Sequence, residues 1–257
     1  MSRSTPPRDF KSWQWSDGLI RPAKTGVPLS DRGFRYGQHV FESIAVRGGV
    51  CLLAGDHLRL LGIAARHHRI PFPRVMLNAV RDFLDSVSLP DGMLRIYLTA
   101  GSGAPATPAM RPGCYLAWEK TRFPTEAEIG RGISLALVEN TIAGRGWGQK
   151  CGNYAAHVSA MEEAWESGCE EGIVFDSAGR VVSCAMGNLI VWLRTRRGIL
   201  CCTPPVERGA RTGAVLHWVH GHLGQGGLVE RDLRRADLER ALSLAVTNSR
   251  LGVMPVS

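Results

Sequence analysis

The sequence predicts an α+β fold in two lobes, and three observations carry that prediction. Hairpin signals are mixed with separate helical stretches, without the regular strand–helix alternation of a doubly wound parallel sheet. The 257 residues suffice for one large domain or two smaller ones. A polar stretch from Glu119 to Ala127 reads as a boundary, which gives a small N-terminal lobe (1–120) and a larger C-terminal lobe (121–257).

The elements follow in order. The first residues, through Lys24, read as a polar stretch. Val40–Val46, the turn Arg47-Gly48-Gly49 and Val50–Leu53 make a hairpin. From Asp56 to about His68, Leu58, Leu61, Ala64 and Ala65 recur at helical spacing, and a second helix covers Pro73 to Val87. Met93–Ala100 and Tyr115–Trp118 are strands. In the second lobe Ile133–Val138 is a strand and Tyr154–Ser167 a helix stopped by Gly168. A hairpin joins Ile173–Phe175 to Arg180–Val182, and Leu189–Leu193 and Ile199–Cys202 are further strands. Helices are expected over Thr212–His222 and Leu233–Leu242.

Composition narrows the function. Hydrophobic residues at 44% and charged residues at 21% are ordinary for a globular protein. No apolar run approaches the roughly 20 residues of a membrane span, and the N-terminal segment lacks an apolar signal core. Seven cysteines without Cys-x-x-Cys spacing suit reduced thiols, so a cytoplasmic protein is expected. The net charge of +8 is spread over scattered arginines, which favours a small anionic partner over nucleic acid. His217, His220 and His222 diverge on a helix and have no completing carboxylate, so no metal is expected. Glu162 and Glu163 read as a solvated helix face.

Four lysines stand against twenty-seven arginines. Where only positive charge was needed the chain uses Arg, whereas a desolvated lysine can lose its proton and attack a carbonyl. Lys150, in Gly148-Gln149-Lys150-Cys151-Gly152-Asn153-Tyr154, precedes an amphipathic helix. Gly209-Ala210-Arg211-Thr212-Gly213-Ala214-Val215 runs from a glycine loop into a helix start, a setting that attracts phosphate. Read alone, this loop, Thr247-Asn248-Ser249 and the Ser183–Asn188 connection are each ordinary turn chemistry.

Together and in this order, these segments resemble the class IV aminotransferases, the fold-type IV enzymes that use pyridoxal phosphate. Asp31-Arg32-Gly33-Phe34-Arg35-Tyr36-Gly37 with Val40-Phe41-Glu42 is similar to the opening signature. Asp56-His57-Leu58, Leu94-Arg95-Ile96, Lys150-x-x-Asn153, Thr203-Pro204-Pro205 and Gly213-Ala214-Val215 follow in place. The resemblance implies that Lys150 is the Schiff-base lysine and shuttles protons. It implies that the amides of Ala214 and Val215, with the Ser249 hydroxyl, bind the phosphate, and that Tyr154 lies near the ring hydroxyl. Tyr36, Arg95 and Asn248 would face the substrate, Arg95 as a carboxylate clamp. A homodimer is expected.

The chain also departs from the family. Ser183 stands where members place a glutamate against the pyridine nitrogen, so the ring would be a weaker electron sink. Leu60 replaces the phosphate-binding arginine of His-x-x-Arg. Arg59, one residue and roughly 100° earlier on the helix, is the substitute candidate. Thr99–Pro105 lacks arginines that several members carry. The expected activity is that of the lyase branch of folate biosynthesis, which releases pyruvate and 4-aminobenzoate. Transamination of D-amino, branched-chain or related acids is the alternative, and a non-catalytic homologue the third reading.

Overall fold

The computed structural model describes residues 9–105, 107–108, 111–138, 148, 150–223 and 227–257. The first eight residues, read above for a signal core, and Gln149 of the lysine motif lie outside them. The chain divides into two compact units: one runs to Phe123 and includes Lys150–Gly152, and the other holds Pro124–Gln149 and Asn153–Ser257.

The first unit begins with a hairpin that the sequence reading missed. Strands β1 (Phe10–Ser16) and β2 (Leu19–Pro22) pair antiparallel around Asp17 and Gly18, which take φ 50° and 79°. Asp-Gly is a standard hairpin signal because both positions tolerate the left-handed region. It was obscured here by the polar and charged neighbours. The short helix α1 (Arg32–Tyr36) is capped by the Asp31 side chain on Gly33 N–H. β3 (His39–Arg47) and β4 (Val50–Cys51) form the expected hairpin. Helices α2 (Ala54–His67) and α3 (Arg74–Ser86) follow, then β5 (Gly92–Thr99) and β6 (Gly113–Lys120).

The six strands make one antiparallel sheet in the order β2-β1-β6-β5-β3-β4. The apolar stripes of α2 and α3 (Leu58, Leu61, Met76, Val80, Leu84) pack on the inward residues Val40, Ile44, Leu94, Ile96 and Leu116. That burial supplies the unit's main stabilisation.

In the second unit, α4 (Glu126–Arg131) occupies part of the polar stretch read as a boundary, closed by a Thr125–Glu128 capping box. β7 (Leu135–Val138), α5 (Ala155–Glu166) and β8 (Glu171–Phe175) follow, with β7 and β8 parallel. β9 (Val181–Cys184) completes this three-stranded sheet, and Ala160, Met161 and Ala164 of α5 pack on it. β10 (Asn188–Thr195), β11 (Gly198–Thr203) and helix α6 (Ala214–His222) come next. Then come β12 (Val229–Glu230), α7 (Arg235–Glu239), β13 (Ala241–Asn248) and β14 (Gly252–Pro255). These strands form a five-stranded sheet in the order β12-β11-β10-β13-β14.

The expected helix Leu233–Leu242 is cut to the short α7, because Ala241 and Leu242 already belong to β13. The alternation Leu242-Ser243-Leu244-Ala245-Val246 carries strand period, and pairing to β10 decides the assignment. β14 has no counterpart among the expected elements. No helix among the described residues is long and apolar enough to cross a membrane.

Candidate active site

Lys150 is placed by its backbone. Phe41 N–H donates to the Lys150 carbonyl at 2.9 Å, and Gly152 N–H donates to the His39 carbonyl at 3.0 Å. The segment therefore runs beside the first residues of β3. A Cβ on Gly152 would come within 2.1 Å of the Gly37 carbonyl, so only glycine allows this approach.

From there the Lys150 ammonium reaches Glu42, with Nζ 3.3 Å from Oε2. The same oxygen accepts a hydrogen bond from His57 Nδ1 at 2.8 Å. Glu42 and His57 are 5% and 2% exposed. Burial pushes the Glu42 carboxyl up, but the Lys150 charge and the His57 contact outweigh it and hold the group below the ordinary carboxylate range.

The outer face of β3, β5 and β6 is aromatic. Register sets Phe41 opposite Tyr97, Tyr97 opposite Tyr115 and His39 opposite Thr99. Phe41 and Tyr97 stack at 5.8 Å. A cavity of about 220 Å³ opens here, lined by Val27, Gly33, Phe34, His39, Tyr97, Thr99 and Tyr115. Burial pushes both tyrosine phenols up, so they stay neutral near pH 7. The Thr99 hydroxyl is committed to Asp31 at 2.7 Å.

A second buried polar cluster lies in the other unit. The Arg211 guanidinium, 4% exposed, donates to the carbonyls of Cys184 (3.0 Å), Ala185 (2.8 Å) and Gly187 (3.4 Å), and to the Tyr154 hydroxyl. His157 stacks on Tyr154 at 4.6 Å and donates from Nδ1 to the Ala185 carbonyl at 2.9 Å. The Glu171 carboxyl accepts the amides of Gly172 and Met186 at 3.0 Å each, and burial still pushes it up.

Burial, then the Arg211 charge, pushes the His157 imidazole down to about 3. The unfolded chain protonates this ring below about 6.5 while the folded chain keeps it neutral, so acid favours unfolding. His157 should therefore remove about 1.4 kcal/mol of stability per pH unit as pH falls from 6.5 toward 3. Urea denaturation across that range should show this extra slope in the wild type and not in His157→Gln; parallel slopes would contradict it.

Lys150 and Tyr154 both lie in polar clusters, in separate units. Ser183 is buried in β9 and donates its hydroxyl to the Gly187 carbonyl at 2.7 Å. Ala214 and Val215 open α6 behind Gly213, an N-cap without a side-chain capping bond. Asn248 Oδ1 accepts the amides of Arg250 and Leu251, and Ser249 follows it in the turn after β13. Arg95 is ion-paired with Glu119 on the aromatic face. The half-exposed Tyr36 lies under the Arg35 guanidinium at 5.0 Å. Arg59 is not brought to His57: it sits on the exposed face of α2, 3.5 Å from Asp56, while Leu60 fills the core.

Sequence reasoning quoted Glu42, His57 and Arg211 within motifs but gave them no role, and it passed over His157 and Glu171. For Glu42 a signal existed: it is a charge at an inward position of the alternation Val40, Glu42, Ile44, Val46. Arg211 had none, since arginine is abundant and its burial depends on carbonyls 24 to 27 residues away in sequence.

A family model described as amino-transferase class IV matches residues 39–257, and the chain belongs to that family. It is 26% identical over 252 residues to an aminodeoxychorismate lyase of Vibrio harveyi, covering 95% of this chain and 90% of that protein. The crystal structure of 4-amino-4-deoxychorismate lyase from Pseudomonas aeruginosa superposes with TM-score 0.78 at 28% identity, covering 95% and 90%. That of the Escherichia coli branched-chain amino acid aminotransferase gives TM-score 0.80 at 21% identity, covering 97% and 86%, and shares the fold.

The family depends on pyridoxal phosphate, and the residues present fit that group. Its phosphate suits a helix start with no side-chain cap. A Cβ on Gly213 would meet Asn188 Oδ1 at 2.3 Å, so the close packing of the Asn188 side chain requires glycine ahead of α6. Next to Asn188 in the β10–β13 ladder, the buried Thr247 hydroxyl has no hydrogen-bond partner among the described residues. Such a group suits an anionic acceptor.

Proposed function

We propose that this chain is a pyridoxal-phosphate-dependent lyase that releases pyruvate and 4-aminobenzoate from 4-amino-4-deoxychorismate. The observation that carries the reading is Lys150: a partly buried amine, held 3.3 Å from a buried carboxylate, on a segment paired to the strand that borders an aromatic cavity. An apolar cavity of about 150 Å³ can bind benzene, so one of about 220 Å³ suits a single substrate ring. The likeness to two named lyases supports the same reaction.

When bound through Lys150, the cofactor supplies an electron-withdrawing ring that stabilises negative charge at the substrate α-carbon. Lys150 would carry the proton to and from that carbon. Ala214, Val215 and Ser249 would hold the phosphate, and Tyr154 the ring hydroxyl. Ser183 would face the ring nitrogen with an oxygen whose hydrogen is spent on Gly187. That neutral partner weakens the electron sink, which elimination tolerates better than transamination.

Arg95 would exchange Glu119 for a substrate carboxylate, making the substrate a small anionic amino compound. Tyr36 and the Asn248 amide nitrogen would complete recognition. Arg59, paired with Asp56 on an exposed helix face, has no part in this proposal. A cytoplasmic homodimer belongs to it, and seven unbonded thiols suit a reducing compartment.

The test is incubation of the cofactor-loaded protein with 4-amino-4-deoxychorismate. Equimolar pyruvate and 4-aminobenzoate are expected. Conversion of the bound cofactor to its amine form by a D- or branched-chain amino acid, with no pyruvate released, would replace the lyase with an aminotransferase.

A further inference from the structure

Two side chains converge on one carboxylate oxygen of a third in the first unit. Glu42 Oε2 takes the Lys150 ammonium at 3.3 Å and the His57 Nδ1–H at 2.8 Å. A carboxylate at an inward strand position is costly to bury and needs such donors to remain charged. The three groups differ in freedom. Glu42 stands on β3 within the sheet, His57 is buried in α2 among Leu58, Leu60 and Leu61, and Lys150 reaches in on a long, flexible stem. Two fixed groups thus hold one mobile group.

We propose that Glu42 and His57 are positioning residues that set the nucleophilicity of Lys150. Glu42 fixes the amine in place between encounters with a carbonyl compound. His57 fixes the direction in which Oε2 points. Lys150 and His57 are the charged groups that act on Glu42, while Asp56 and Arg59 of the same helix pair with each other at its surface. The consequence for catalysis rests on the reading of Lys150 as the attaching lysine, but the contact itself can be tested without the cofactor.

The scarcity of lysine makes the test clean. Competitive acetylation with acetic anhydride, read by peptide mass mapping, compares Lys150 with the exposed Lys11, Lys24 and Lys120 in the same sample. Glu42→Gln, which removes the charge that holds the amine, is expected to raise Lys150 labelling relative to those three by about threefold or more at pH 7. His57→Leu should shift it in the same direction. His57→Gln, which keeps an N–H for Glu42, should stay within about twofold of the wild type.

Unchanged Lys150 labelling in folded Glu42→Gln would overturn the proposal. If that variant does not fold, the His57 pair decides, and equal labelling in Leu and Gln variants would overturn it. A Lys150 that never attaches pyridoxal phosphate would overturn the proposed function and leave the labelling result standing.

Discussion

Replacing Lys150 with alanine is expected to reduce turnover by at least about a thousandfold, roughly 4 kcal/mol of transition-state stabilisation. The amine is the only nucleophile proposed for the attachment, and the same group carries the proton at the substrate carbon, so one substitution removes two roles. The fold should survive, because the side chain is partly exposed and Glu42, its ion-pair partner, keeps the His57 bond. The segment is held by main-chain bonds to Phe41 and His39, which alanine keeps. Melting temperature and turnover of Lys150→Ala, measured together, separate the two effects. Turnover within about tenfold of the wild type would place the chemistry on another group.

The largest expected loss of stability comes from Arg211. Arg211→Met removes donors from three carbonyls, those of Cys184, Ala185 and Gly187, and from the Tyr154 hydroxyl. The Ala185 carbonyl keeps His157 and the Gly187 carbonyl keeps Ser183 and the Cys184 amide, so what is lost is the charge-assisted bonds themselves, about 1.5–3 kcal/mol each and not additive, and methionine fills the volume without replacing one. A loss of about 3 kcal/mol or more is expected, which lowers the melting temperature by about 6–12 °C for a chain of this size. The carbonyls belong to the turn between β9 and β10, so the damage should centre on Ser183 and Asn188, and hydrogen exchange there should rise. A change below about 1 kcal/mol would mean that the guanidinium is replaceable by water.

What the sequence made legible divides along physical lines. The core hairpin of β3 and β4 and the helices α2 and α3 were visible because their apolar residues repeat with the period of the element and face one core. The first hairpin was not, because β1 carries Lys11, Ser12 and Gln14 among its tryptophans and its strands lie at the sheet edge. Lys11 in fact lies over the Trp118 ring at 5.6 Å, a contact no local pattern announces. The C-terminal end was overread as helix because Leu238 and Leu242 stand four residues apart, at helix spacing, whereas the pairing of β13 with β10 is non-local.

The candidate site shows the same division. Composition drew attention to Lys150 and glycine to the helix start at Gly213, while the role expected of each came from the resemblance. The groups that surround Lys150 and Tyr154 were not so marked, since Glu42, His57, Arg211 and His157 acquire their meaning only from burial and from partners distant in sequence. Ser183 illustrates a further limit. The resemblance implies that a glutamate is missing there, and the structure adds that the Ser183 hydroxyl already donates within its own turn.

The most direct measurement is reduction of the protein with borohydride after loading with pyridoxal phosphate, followed by peptide mapping. The account predicts one phosphopyridoxyl group per chain, carried on Lys150, with Lys11, Lys24 and Lys120 unmodified. A protein that carries the label elsewhere, or carries none on Lys150 at saturating cofactor, would contradict it.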